Sequence, residues 1–103
     1  MKKIMLPGSE NYWHAYERGE DLDTAFPGQD ASDFAIAVQY NGSPEELKDV
    51  AVVALVCVQF GANDDEGWVW HVDFADGSKW VVEGWCDYTG WDCQSGLDWT
   101  LVS

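Results

Sequence analysis

Basic side chains are scarce in this sequence: Lys and Arg together number 5 against 19 Asp and Glu, a formal net charge of −14 over 103 residues. A surface so acidic repels phosphate, which excludes direct binding to nucleic acid or to an anionic membrane. Long apolar runs are missing as well. The longest, residues 50–58, is about half of what a membrane-crossing helix needs. Met1-Lys2-Lys3 opens like a secretion signal, but Ile4-Met5-Leu6 gives way at once to Pro7, far short of the hydrophobic region such signals use. The expected location is therefore the cytoplasm. Cysteine is sparse and odd in number, 3 in all, which fits a reducing compartment better than a disulfide scaffold. Cys86 and Cys93 flank a Gly-containing turn and can pair if oxidised. Cys57, inside a valine run, reads as a buried free thiol behaving as a small hydrophobe. No spacing matches a catalytic motif, so no catalytic residue is assigned.

The apolar fraction of 47% is ample for a core, which rules out wholesale disorder despite the charge. The length fits one domain spanning 1–103. Tryptophan is several times commoner than usual, at Trp13, Trp68, Trp70, Trp80, Trp85, Trp91 and Trp99.

Residues 7–33 are rich in Gly, Pro and acids (Glu10, Glu17, Glu20, Asp21, Asp23, Asp30, Asp33), with Tyr12, Trp13, Tyr16 and Phe26 interrupting the charge. Tyr12, Trp13 and Tyr16 share a face if a helical turn forms over 12–18. Phe34, Ile36, Val38 and Tyr40 alternate with smaller residues, a period that favours a strand, with a helix as the close competitor because of the alanines. Asn41-Gly42 breaks the chain. Ser43-Pro44-Glu45-Glu46 carries the signals of a short helix: a capping Ser, Pro at the first helical position, and Glu completing a capping box. The valines that follow pull the chain into a buried strand.

The clearest pattern lies in the second half. Trp68, Trp70, Val72 and Phe74 alternate with Val69, His71 and Asp73, and Trp80 and Val82 continue the pattern after Asp76-Gly77. A three-residue loop, Ala75-Asp76-Gly77, with Gly77 left-handed, sets Val72 opposite Trp80, Trp70 opposite Val82, and Asp73 opposite Lys79. A two-residue loop would mix the faces. The fold expected is α+β: a small antiparallel meander of three to four strands near 51–60, 68–75, 78–86 and 98–102, one short helix starting at Ser43, and an acidic N-terminal segment. Val53, Leu55, Trp70, Val72, Phe74, Trp80 and Val82 are the expected core.

Five side chains offer metal-ligand chemistry: Cys57, Cys86, Cys93, His14 and His71. The only close pair is Cys86 and Cys93, with no second pair, so neither a zinc site nor any cofactor is expected. Asp64-Asp65-Glu66 lacks the alternating spacing of a calcium loop. A cysteine nucleophile beside His71 is not required by any spacing.

The least generic stretch runs from Gly84 to Ser95, where Asp87 and Thr89 can hydrogen-bond the backbone in a tight, aromatic-stapled turn. With its Trp-rich strand, Asp-Gly turn and Cys-Asp-Tyr-Thr-Gly-Trp-Asp-Cys motif, the sequence resembles small bacterial and phage proteins of unassigned function over roughly residues 61–95. The resemblance implies a similar hairpin core and brings no activity or catalytic residues with it.

Two functions of different classes remain. A compact domain with this charge can occupy a basic groove on a partner protein, such as a nucleic-acid-binding protein, with carboxylates standing in for phosphates. Phage inhibitors of defence nucleases, anti-CRISPR proteins among them, are similar in size and charge. The expected partner-binding residues are Asp64, Asp65 and Glu66, Glu17, Glu20, Asp21 and Asp23, and the aromatics Trp85, Tyr88 and Trp91. The alternative is a small-ligand or carbohydrate-binding module with Trp85, Tyr88 and Trp91 as its platform. Acidity that merely keeps a Trp-rich domain in solution competes with the first.

Overall fold

The computed structural model describes residues 3–8 and 22–103. The helical turn expected over 12–18 and the carboxylates Glu17, Glu20 and Asp21 lie outside the described residues. The elements in order are helix α1 (Ala31–Asn41), a 3-10 turn (Glu45–Leu47), and strands β1 (Val52–Gln59), β2 (Trp68–Phe74), β3 (Lys79–Asp87) and β4 (Gly90–Leu101). The strands form one antiparallel sheet in the order β1-β2-β3-β4, a meander. This is the expected α+β class.

The β2–β3 hairpin has the three-residue loop that the pattern required. Trp70 pairs with Val82, Val72 with Trp80 and Asp73 with Lys79. Phe74 N–H donates to Ser78 O at 3.0 Å, and Gly77 takes φ 89°, a conformation that costs a residue with a Cβ. Asp73 and Lys79 form a 3.0 Å ion pair on the solvent face. Trp68, Trp70, Val72, Phe74, Trp80 and Val82 all turn to the buried face, with Leu55 and Cys57 of β1 beside them.

Four expectations fail. Residues 34–40 are not a strand but most of α1. Their apolar residues fit both periods, and the helix prevails because it buries Ala31, Phe34, Ala35, Ala37 and Val38 on one face. The alanines let that face lie close to the sheet, and the ring of Phe34 meets Trp70 edge-on at 5.1 Å. The helix expected from Ser43 shrinks to a single 3-10 turn. Pro44, not Ser43, occupies the cap position, with no side-chain cap, because the chain must straighten almost at once into β1. Val53 is no core residue either. A register shift between Val52 and Ala54 turns it outward, where it is 57% exposed. Strand β4 also begins earlier than expected, at Gly90 rather than near 98.

The helix covers one face of the sheet. Among the described residues no element covers the other face, where Val56, His71, Val81 and Thr100 form one cross-strand row and Gln59, Val69, Glu83 and Asp98 the next. Among the described residues, no helix is long and apolar enough to cross a membrane.

The three cysteines are free; Cys57 and Cys86 are buried and Cys93 is exposed, so Cys86 and Cys93 are not paired. Burial and the negative charge of Asp30 push the Cys57 thiol up to about 11. Burial, with Asp33 and Asp87 nearby, takes Cys86 to about 11 as well. A disulfide-exchange reagent acts on the thiolate, so titration of the native protein near pH 8 should modify Cys93 rapidly. Cys57 and Cys86 should react only on the timescale of opening, and all three alike in denaturant. Fast modification of Cys57 in the native state would contradict its placement.

Candidate functional site

The loop between β1 and β2 is a tight knot. Ala62 N–H donates to Glu66 O at 2.8 Å, and Asp65 and Glu66 N–H both return to Ala62 O at 3.1 Å. Asp64 adopts φ 60°, a left-handed conformation that Asp tolerates better than most residues. Its N–H donates to Cys86 O at 2.9 Å, and Cys86 Sγ–H reaches Asn63 Oδ1 at 3.3 Å. The loop is thereby stapled to β3, and Asp64, Asp65 and Glu66 are displayed from fixed backbone.

Trp85 lies next to them. It pairs with Gly96 across the β3–β4 ladder, and its indole covers that glycine so closely that a Cβ there would come within 2.3 Å of Nε1. The absent side chain at Gly96 is what lets the ring lie down on the sheet, an aromatic shielding a strand glycine. Trp85 nevertheless remains 53% exposed. Asp64, Asp65, Glu66, Trp85, Asp87 and Gln94 surround a shallow depression of about 290 Å³. Four carboxylates line it and, among the described residues, no Lys or Arg does. Asp87 is shaped by its own turn: its Oδ1 accepts Thr89 N–H at 3.0 Å and the Thr89 hydroxyl. The hydroxyl bond is the main reason its carboxyl is held below the usual range, so it stays charged. Sequence reasoning had found Asp87 as a turn residue and missed it as part of the acidic surface; its nearness to the triad depends on the staple to β3.

The remaining expected site residues are distributed differently. Tyr88 stands at the tip of the β3–β4 turn, 77% exposed, and Asp23 is exposed on a helical stretch over 22–25. Trp91 contradicts the expectation of an exposed anchor, for it is only 6% exposed. Its ring packs 5.1 Å from that of Trp68, and its Nε1–H donates to Asp33 Oδ1 at 3.0 Å. A stacking platform of Trp85, Tyr88 and Trp91 therefore does not exist, which removes the main support for carbohydrate binding.

A second unusual cluster went unseen in the sequence. Three indoles converge on residues 29–33, at the start of α1: Trp68 Nε1–H on Asp30 Oδ2 at 2.8 Å, Trp70 Nε1–H on Gln29 O at 3.0 Å, and Trp91 on Asp33. Gln29 Oε1 also accepts Cys57 N–H at 2.8 Å. Asp33 is pushed up from the ordinary carboxylate range, chiefly by burial, with Asp30 adding repulsion and the Trp91 bond opposing both. Perturbed acids in such settings can mark active sites. Here each carboxylate is used by an indole, and the thiols nearest them, Cys57 and Cys86, are held protonated. The cluster joins helix to sheet. Among the described residues, no three His, Cys, Asp or Glu side chains converge so as to hold a metal ion.

No protein-family model, curated protein or solved structure matches this chain.

Proposed function

We propose that this chain is a small acidic, non-catalytic binding protein of the cytoplasm that occupies a basic groove on a partner protein. Its carboxylates would take positions that nucleic-acid phosphates otherwise fill, the mode of a phage or mobile-element inhibitor of the anti-CRISPR kind. One observation carries the proposal: Asp64, Asp65, Glu66 and Asp87 surround the exposed ring of Trp85 in a single depression that no Lys or Arg among the described residues lines, on a chain of net charge −14. Carboxylates held on stapled backbone are presented with little ordering cost, and an exposed tryptophan beside them is what an interface uses as an anchor and as a stacking face for Arg.

The triple variant Asp64→Asn, Asp65→Asn, Glu66→Gln tests this. It touches no core residue, so folding should be retained, with a slight gain from relieved repulsion. A partner captured from bacterial lysate at low salt should associate about tenfold more slowly with the variant. The salt dependence of the on-rate should flatten, since fewer charges remain to be screened. An unchanged on-rate at low salt would reduce the loop to solvated surface.

A further inference from the structure

The two edges of the sheet are finished differently. Along β1 the chain covers its own edge: Val52 N–H donates to Ile4 O at 2.7 Å, Met5 bridges Ala51, and the Gln29 side chain takes Cys57 N–H. Along β4 there is no such cover among the described residues. Val102 N–H donates to Lys79 O at 2.8 Å beside the Trp80–Leu101 pair, which fixes the alternation of the ladder. Thr100, Asp98 and Gly96 exchange bonds with β3, and the main-chain N–H and C=O of Leu97, Trp99 and Leu101 point away from the sheet. This is the longest strand among the described residues, and it contains no Lys, Arg or Pro, residues commonly used to blunt such an edge.

A second observation says what fits there. Glu83 and Asp98 stand directly opposite one another on the face away from α1. Like charges so placed destabilise a sheet, and among the described residues no ion pair offsets them, whereas Asp73, two rows along on the same face, has Lys79. A strand added beside β4 would set one residue next to Asp98 at a position that exchanges no hydrogen bonds, where Cα atoms approach to about 4.5 Å. A Lys or Arg there completes the row. A second copy of this chain brings acid to acid and a net charge of −14 to another −14, so the edge repels its own kind.

We propose that the open edge of β4 accepts an extended segment of a basic protein as a fifth strand. Main-chain bonds to Leu97, Trp99 and Leu101 would supply affinity, and a basic residue beside Asp98 would supply selectivity. This goes beyond the acidic depression, since recognition here is through the backbone.

The probe is a short peptide alternating threonine and lysine, with its lysines on the Asp98 side and its threonine N–H groups facing β4. At ten times its Kd, hydrogen exchange at the Leu97, Trp99 and Leu101 amides should slow about tenfold, while the amides of Asp98 and Thr100, already in the ladder, change little. The same peptide N-methylated at its threonines keeps every charge and should lose this protection. Glu83→Gln with Asp98→Asn should fold normally and bind the probe about two- to fivefold more weakly, the size of an exposed ion pair. Equal binding of the methylated peptide overturns the proposal. So does exchange slowed only around residues 64–66 and Trp85, a result that leaves the acidic depression standing. Failure of the probe to bind at all also overturns it, as does a dimer with Leu97 and Trp99 already protected without peptide. Loss of the edge effect and loss of the triad effect are thus read separately.

Discussion

Replacing Trp70 by alanine is expected to remove about 3–5 kcal/mol of stability, the range for deleting a large buried aromatic, from a total that for such domains is about 5–15 kcal/mol. This residue ties the sheet both to α1 and to the segment that precedes it. Its ring is 0% exposed, meets Phe34 of α1 edge-on at 5.1 Å and stacks on Trp68 with centroids 6.2 Å apart. Its indole N–H also satisfies the Gln29 carbonyl at 3.0 Å. Alanine leaves a void that three elements border and a carbonyl without its donor. With a urea m-value of about 1.5 kcal/mol/M, the denaturation midpoint should fall by about 2–3 M. Trp70→Phe retains most of the packing, gives up the indole bond, and should fall well short of that loss. A midpoint for the alanine variant within ordinary surface-mutation scatter would mean that the helix does not sit on the sheet through this ring.

The second large effect concerns Asp33. Alanine there should leave the protein about 1–3 kcal/mol less stable than asparagine does, the difference made by an unsatisfied buried donor, because only asparagine still accepts Trp91 Nε1–H. Thermal unfolding resolves this at ~4–8 °C per kcal/mol; equal melting temperatures would show that the bond contributes nothing. The native protein should also respond to pH through this group. Burial raises the Asp33 carboxyl above its unfolded value, so between those two pKa values the folded state binds more protons, and stability falls as pH rises through that window. Acidifying from neutrality therefore gains stability from Asp33, and Asp33→Asn should abolish that gain. Asp76 and Asp87 act oppositely. Hydrogen bonds from Ser78 and Thr89 hold their carboxyls below the ordinary value, so what they contribute is lost at lower pH, as the pH falls through their folded pKa.

The β2–β3 hairpin was legible because two independent local signals agree there, alternation from Trp68 to Phe74 and the Asp76-Gly77 turn, and only one register satisfies both. Residues 34–40 were not, because alanines between larger residues fit a helix and a strand alike. What decides between them is a sheet formed by residues 52–101, on which Phe34 and Val38 can lie. Val53 was misplaced for a similar reason: a bulge moves a residue between faces without changing its hydrophobicity, and nothing in Val50 to Val58 marks it. At the site, Asp64, Asp65 and Glu66 could be read as an exposed loop from charge alone. That they share a depression with Trp85 and Asp87 follows from the Asp64–Cys86 staple, which no spacing reveals. Trp91 was misjudged because its environment depends on Asp33, 58 positions away.

The indole bonds around α1 also impose an order on assembly. They join residues 38, 41 and 58 positions apart, whereas each hairpin of the meander connects neighbours and can close within about 1–10 μs. The helix has little to hold it before that. Asp30, at its N-cap, makes no side-chain cap and gives its carboxylate to Trp68 instead, and helices this short are marginal alone. Sheet formation must therefore precede helix docking, since the donors on β2 and β4 have to be in place together before the segment at 29–33 has anything to bind. Closure of those long loops is therefore the step expected to limit folding. In reverse, the helix is expected to lift away first, so that the earliest partly open form presents a tryptophan-lined sheet.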